Sequence, residues 1–208
     1  MSETSRHAGV MTSATAPLPT QEHDHIVLLH DLNWSQYEAL RAMRGDRSSP
    51  RIAFLDGELE LMSPSRNHEA IKSQLGRLLE AWAEERGVDL QSYGSWTLEG
   101  AAAQRAVEPD ECYVVGAQAR EVPDLAIEVV WTSGGVDKLA IYASLGVGEV
   151  WVWQAGALSV HVLRDGAYLR APRSALLPGL ILDDMLRFVE VPNQSAAVRA
   201  WRALLRGV

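Results

Sequence analysis

Two Pro-Asp pairs stand at the mouths of apolar, strand-like runs: Glu108-Pro109-Asp110-Glu111-Cys112-Tyr113-Val114-Val115 and Val122-Pro123-Asp124-Leu125-Ala126-Ile127-Glu128-Val129-Val130. Proline is ordinary at a strand's first position, where the ladder does not need its missing N–H. A carboxylate inside an apolar strand is not ordinary, because a buried charge must be paired or hold a cation. Glu128 is such a residue. Strand side chains alternate, so Asp124, Ala126, Glu128 and Val130 share one face, while Leu125, Ile127 and Val129 share the other. The second face is wholly apolar and is predicted to be core. On the first, Asp124 and Glu128 lie about 13 Å apart at roughly 3.3 Å per residue. One ion held at about 2.0–2.6 Å cannot easily reach both. The expected partner of Glu128 is an acid on the neighbouring strand, and Asp110 is the candidate because consecutive strands often pair. The alternative leaves Asp110 and Asp124 as strand and turn caps, with Glu128 facing water on a half-exposed sheet.

Three further residues could join such a site. Lys138, in Gly134-Gly135-Val136-Asp137-Lys138, opens a short helix. A lysine in the first turn opposes the helix dipole, whereas Asp137 beside it satisfies that dipole, so the Lys138 ammonium could point back to the end of the sheet. His68 opens a long helix close to its apolar stripe and could meet water, phosphate or a carboxylate, or simply pack. Glu58 follows the Asp56-Gly57 turn and reads equally well as a polar hairpin residue.

The elements that must position these groups follow from periodicity. Asn33 to Met43 is predicted helical, with Trp34, Tyr37, Leu40 and Met43 on one face, and Gly45 ends it. Arg51 to Met62 reads as a hairpin about Asp56-Gly57. Ser63 to Asn67 caps a helix from His68 to Arg86, striped by Ile71, Leu75, Leu78, Leu79 and Trp82. Strands are expected over Leu90–Leu98, Ala106–Val115 and Val122–Trp131, then a helix over Asp137–Leu145, a hairpin over Glu149–Gln154 and Leu158–Leu163, and a short strand pair containing Tyr168. Leu182–Val189 and Ala196–Leu205 look helical. Helices and strands mix without repeated βαβ units, which predicts an α/β (mixed α+β) fold with one mixed sheet. Residues 1–25, rich in Ser, Thr, Ala and Pro, are predicted to be a disordered tail. The domain is expected over residues 26–190, with a C-terminal helical segment over 191–208.

Composition narrows the classes. The 208 residues include 47% hydrophobic and 22% charged side chains, ordinary for one folded domain and a tail. No apolar run approaches the roughly 18 residues that would span a bilayer, so no membrane association is expected. No secretory leader is visible, and the lone Cys112 suits a reducing compartment, so the cytoplasm is expected. A net charge of −8 argues against coating nucleic acid by bulk charge. There is no G-x-S-x-G, P-loop or G-x-G-x-x-G, and no Cys/His cluster suggests zinc. Arg199, Arg202 and Arg206 form a basic helical stripe that could meet phosphate or only solvent.

Taken together, the residues resemble the Uma2 family (DUF820), a branch of the PD-(D/E)XK nuclease superfamily, over roughly Leu32 to Val189. The matching stretches are Asp56-Gly57-Glu58-Leu59 with Met62-Ser63-Pro64, His68, Pro109-Asp110 through Gly116, Pro123-Asp124-Leu125 with Glu128-Val129, and Asp137-Lys138 through Ile141-Tyr142, Leu145-Gly146-Val147 and Glu149-Val150-Trp151. The resemblance implies a restriction-endonuclease-like core, a mixed sheet flanked by helices. It also implies a Mg²⁺ or Mn²⁺ ion on acids of two adjacent strands, and DNA as partner. Asp110 would be the first acid and Glu128 the acid of the E-x-K strand. This chain has Val130 where that pattern has lysine, and Lys138 matches a lysine relocated to the following helix. Asp124 would be a supporting or second-metal acid, with His68 and Glu58 as further supporting residues. Cutting both strands would favour a homodimer. Two rivals stand beside this reading: a nuclease-fold binding module that does not cut, and an interaction protein whose interface is motivated by Trp131, Trp151 and Trp153.

Overall fold

The computed structural model describes residues 23–207. The chain opens with β1 (His25–Leu29) and α1 (Trp34–Arg44). Asn33 caps α1 with a reciprocal box: its side chain accepts the Gln36 N–H, and Gln36 Oε1 accepts the Asn33 N–H at 2.8 Å. The hairpin of β2 (Arg51–Leu55) and β3 (Glu58–Ser63) turns at Asp56 and Gly57, both at positive φ, 49° and 90°. Ser65 Oγ accepts the His68 N–H at 3.2 Å and starts α2 (Arg66–Arg86), which Gly87 ends in the left-handed conformation.

The next segment departs from the sequence reading. The strand expected over 90–98 is two strands, β4 (Leu90–Ser92) and β5 (Leu98–Gly100). The strand expected over 106–115 is also two, β6 (Arg105–Val107) and β7 (Glu111–Val115). The single mixed sheet is accordingly two sheets. One is antiparallel throughout, in the order β1-β3-β2-β6-β5. The chain crosses from one sheet to the other through residues 93–97 and returns through Glu108-Pro109-Asp110. Pro109 has no N–H to continue a ladder, which is why the strand breaks there. Apolar alternation records burial but not which sheet a strand joins.

The rest of the chain is β8 (Leu125–Val130), α3 (Lys138–Leu145), β9 (Glu149–Gln154), β10 (Ala157–Arg164), β11 (Ala167–Ala171), α4 (Leu182–Leu186) and α5 (Gln194–Arg206). The second sheet runs β11-β10-β9-β8-β7-β4 and is mixed, with β8 and β9 parallel across the α3 crossover and the other pairs antiparallel. With five helices among the described residues, the fold is mixed α+β.

Three apolar cores hold the layers together. Tyr37 of α1 packs with Ile52, Phe54 and Leu59 on the outer face of the first sheet. Leu75, Leu78, Leu79 and Trp82 of α2 pack with Leu125, Ile127, Val129, Trp151 and Trp153, so the apolar face predicted for β8 is core. Between the sheets, Ile141 and Tyr142 of α3 pack with Ala53, Val107, Ala126 and Val150. The opposite face of β8 is therefore buried as well, and Glu128 lies between the sheets rather than in water.

Trp151 and Trp153 belong to the core and cannot anchor an exposed interface. Trp131 stacks on Trp153 with centroids 5.9 Å apart. The basic stripe of α5 is largely taken up by α2: Arg202 pairs with Glu84 and Glu85, and Arg206 with Glu85. The predicted tail lies outside the described residues as far as residue 22, but Asp24 is buried and His25 begins β1. No helix of the described residues is long and apolar enough to cross a membrane.

Candidate active site

The antiparallel register of β7 and β8 pairs Cys112 with Ala126 and Glu111 with Ile127. One further step sets Asp110 opposite Glu128, on one face of the sheet. Both are buried, at 0% and 5% exposure. The two carboxylates singled out from sequence are thus brought together. Lys138 joins them from the first turn of α3: its Nζ lies 3.0 Å from Glu128 Oε2 and 3.5 Å from Glu60 Oε1. One ammonium bridges two buried carboxylates. Burial pushes the Lys138 ammonium down, but the charges of Glu128 and Glu60 outweigh it and hold its pKa above the ordinary value.

The remaining oxygen of Glu128 accepts a short hydrogen bond from the Tyr142 hydroxyl, one helical turn beyond Lys138. Burial and the Glu128 carboxylate raise the Tyr142 pKa well above its usual value, so the phenol keeps its proton. Glu60 Oε2 accepts the Val136 N–H at 3.0 Å. Gly135 permits this approach: at φ +104° it has no Cβ, and one added there would lie 2.0 Å from Glu60 Oε2.

Asp110 is gripped on both oxygens. Oδ2 accepts the Val129 N–H at 2.6 Å. Oδ1 meets the Arg51 guanidinium in a close ion pair and lies 3.0 Å from His68 Nε2. His68 Nδ1 lies 3.1 Å from Asp24 Oδ2, and Asp24 Oδ1 accepts the Ser65 N–H at 2.7 Å. Burial, helped by Arg51, holds the His68 imidazole below its ordinary pKa against the pull of Asp24. A neutral ring has one N–H. Placed on Nδ1, it donates to Asp24 and leaves Nε2 to accept from Arg51 Nη1 at 3.2 Å. Burial raises the Asp24 carboxyl, but the Ser65 N–H and His68 outweigh it, and the net shift is downward.

The charges do not balance. Four buried carboxylates, Asp24, Glu60, Asp110 and Glu128, face two cations, Arg51 and Lys138, an excess of two negative charges. Glu69, at the solvent edge, is matched by Lys72 at 2.8 Å. A cleft of about 230 Å³ opens onto this cluster, walled by Asp24, Glu60, Glu128, Lys138 and Tyr142. Cys112 offers no nucleophile, since burial pushes its thiol up to about 12.

Two predicted supporting residues lie elsewhere. Asp124 Oδ2 accepts the Val115 N–H at 2.9 Å, capping the far end of β8, and does not join the cluster. Glu58 is 53% exposed and pairs with His30 at 3.3 Å. His68 does reach the site, through Asp110.

The Uma2 family model, described as "Putative restriction endonuclease", matches residues 34–192. The chain belongs to the Uma2 family. Its fold is similar to the crystal structure of "a putative nuclease belonging to DUF820 from Anabaena variabilis ATCC 29413", with a TM-score of 0.54 and 12% identity over 76% of this chain and 99% of that one. No curated protein matches the chain.

In this Uma2 chain, sequence reasoning missed Asp24, Arg51, Glu60 and Tyr142. Glu60 carried a usable signal. In Glu58-Leu59-Glu60-Leu61-Met62, alternation puts Glu60 on the face of Met62, which is core. Tyr142 lies four residues from Lys138 on one helix face. Arg51 gave none, because it reaches the site only through the packing of the two sheets, and Asp24 gave none among its polar neighbours.

Proposed function

We propose that this Uma2 protein is a Mg²⁺- or Mn²⁺-dependent endonuclease that hydrolyses phosphodiester bonds in DNA and acts in the cytoplasm. The observation that supports this most is the place of Lys138. The strand that carries Glu128 has Val130 where an E-x-K lysine would stand, yet an ammonium lies 3.0 Å from Glu128, delivered by α3. The charge type is retained and its carrier has changed.

The donor set fits a hard divalent ion in chemistry and in charge: carboxylate oxygens with an excess of two negative charges. Among the described residues, no three His, Cys, Asp or Glu side chains converge on one metal position. An ion here would therefore have one or two carboxylates from the chain, the number Mg²⁺ takes when water and substrate phosphate fill its shell. Asp110 and Glu128 would hold it, with Glu60 sharing Lys138 beside them. When bound, such an ion supplies a water of lowered pKa and screens charge on the scissile phosphate. The chain's own residues do the rest. Tyr142 fixes Glu128 through Oε1. Val129 and Arg51 fix Asp110, and His68 holds Arg51 from behind. Lys138 places a positive charge where negative charge develops on the phosphate and favours loss of a proton from the attacking water.

The test is cleavage of supercoiled plasmid in Mg²⁺ or Mn²⁺ against EDTA. Glu128→Gln, Glu60→Gln and Lys138→Met should each lower turnover by about 10²-fold or more, while Glu58→Gln leaves it unchanged. Full metal-dependent cleavage by Glu128→Gln would overturn the assignment. A second reading, a nuclease-fold module that binds without cutting, is favoured by one observation: Arg51 already satisfies Asp110. Calorimetry showing no Mg²⁺ or Mn²⁺ binding, with no cleavage, would select it.

A further inference from the structure

The face of the second sheet that carries Glu128 does not end at the cleft. Register places Glu128 beside Val152, Val152 beside Ser159, Val150 beside His161, and His161 beside Arg170. Alternation keeps these side chains on one face. Val152 walls both the cleft and a second, shallower groove of about 210 Å³, whose other walls are Gln154, Ala157, Ser159, His161 and Arg170. At the outer edge, Arg170 also borders a third groove that contains Arg164 and Arg173. No acid lines either of these outer grooves among the described residues. Arg164, Arg170 and Arg173 are exposed, and none of the three has a carboxylate partner among the described residues. Alternation turns Arg164 to the opposite face of β10, with Val160 and Val162, so Arg170 and His161 continue the cleft face while Arg164 and Arg173 border the groove around the β11 edge. In a chain that carries −8, three exposed guanidiniums without an ion-pair partner among the described residues mark a local reversal of sign around this edge.

We propose that the β10–β11 edge is a docking track for the phosphate backbone of duplex DNA, with Arg170 and His161 on the cleft side and Arg164 and Arg173 at the rim. This rests on the nuclease reading of the cleft. The dimensions suit it. Three strand spacings of about 4.8 Å and one two-residue step put Arg170 about 16 Å from Glu128, close to the rise of five base pairs at about 3.4 Å each. The track would hold the duplex by charge, roughly half a turn from the bond presented at the cleft. Arginine forks suit phosphate oxygens geometrically, and such contacts fix register without reading sequence.

The experiment is fluorescence anisotropy of a labelled 20-base-pair duplex with the full chain in EDTA, over 50 to 200 mM salt. It compares wild type, the triple variant Arg164→Ala/Arg170→Ala/Arg173→Ala, Arg199→Ala as a control for lost charge on another face, and Glu128→Gln. The triple variant should bind on the order of a hundredfold more weakly near 0.1 M salt. The slope of log K against log salt should be smaller by about 2 to 3, since each phosphate contact contributes about 0.9. Arg199→Ala should change the slope by less than half a contact. Glu128→Gln should bind DNA like wild type while failing to cleave it, which separates docking from chemistry. An unaltered slope in the triple variant, with wild type binding and cutting, would overturn the track and leave the nuclease reading standing. A wild type that binds no duplex would overturn both. Unchanged far-UV dichroism of the triple variant, whose altered side chains are exposed, excludes unfolding as the cause.

Discussion

Replacing Lys138 by Met would remove the cation that bridges Glu128 and Glu60 and leave two buried carboxylates facing each other. The Lys138 side chain is 19% exposed, and those of Glu128 and Glu60 are 6% and 4%. Breaking a buried pair by removing one partner costs about 3–5 kcal/mol. Because the ammonium borders an open cleft, the lower end applies, about 3 kcal/mol. With a urea m-value of about 2 kcal/mol/M, the unfolding midpoint should fall by about 1.5 M. The assay is urea denaturation in EDTA at pH 8, 7, 6 and 5. The sign of the pH dependence follows from the shift. The Lys138 pKa is raised in the folded chain, so its contribution is complete below the free lysine value of about 10.4 and is lost only as pH rises through the folded value. Between pH 5 and 8, wild type therefore gains and loses nothing through Lys138. In the variant, two like charges in one site push one carboxyl upward, and its protonation as pH falls relieves the repulsion. The stability gap should narrow from pH 8 to pH 5. Equal midpoints at pH 7, or a gap that does not narrow, would refute the reasoning that Lys138 neutralises this pair.

Two further outcomes are expected. His68 has its pKa depressed by burial and by Arg51, so the stability tied to its neutral ring is complete above about pH 6.5 and is lost as pH falls from there toward the folded value. Melting temperature measured from pH 7.5 to 5 should decline in wild type and flatten in His68→Gln, with a remnant from His161, which burial and Arg170 depress in the same sense. Gly135→Ala should cost about 2 kcal/mol in thermal melts and impair cleavage, because its Cβ would fall 2.0 Å from Glu60 Oε2 at a φ of +104° that alanine rarely adopts; a fully active variant with an unaltered melt would show that Glu60 need not sit where it does.

Much of the site could be read from residue order. Asp110, Glu128 and Lys138 lie on consecutive elements, and alternation along Leu125–Val130 separated the acid-bearing face from the core. What escaped was whatever depended on the second sheet. Alternation in 106–115 says that these residues are buried, but Pro109 divides them between two sheets, and only the assembled layers bring Arg51 and Glu60 over Glu128. Asp24 escaped for another reason: polar, low-complexity neighbours hid a residue whose two oxygens are both committed. Asp124 misled because its Pro-Asp context duplicates that of Asp110, whereas four residues along a strand carry it to the opposite end of the sheet from the cleft.

Glu108-Pro109-Asp110 also sets how wide the cleft can be. Glu108 Oε2 accepts the Ile52 N–H at 3.0 Å on the first sheet, while Asp110 Oδ2 accepts the Val129 N–H at 2.6 Å on the second. Three consecutive residues thus rivet both leaves of the molecule along one spine, with Arg44 clamping Glu108 at 2.5 Å from outside. A second tie closes the other margin, where Glu60 Oε2 of the first sheet accepts the Val136 N–H from the loop after β8 at 3.0 Å. That margin holds Gly134 and Gly135, both at positive φ. Tied at both margins, the leaves have a set separation, and that separation fixes how bulky a group can reach Glu128.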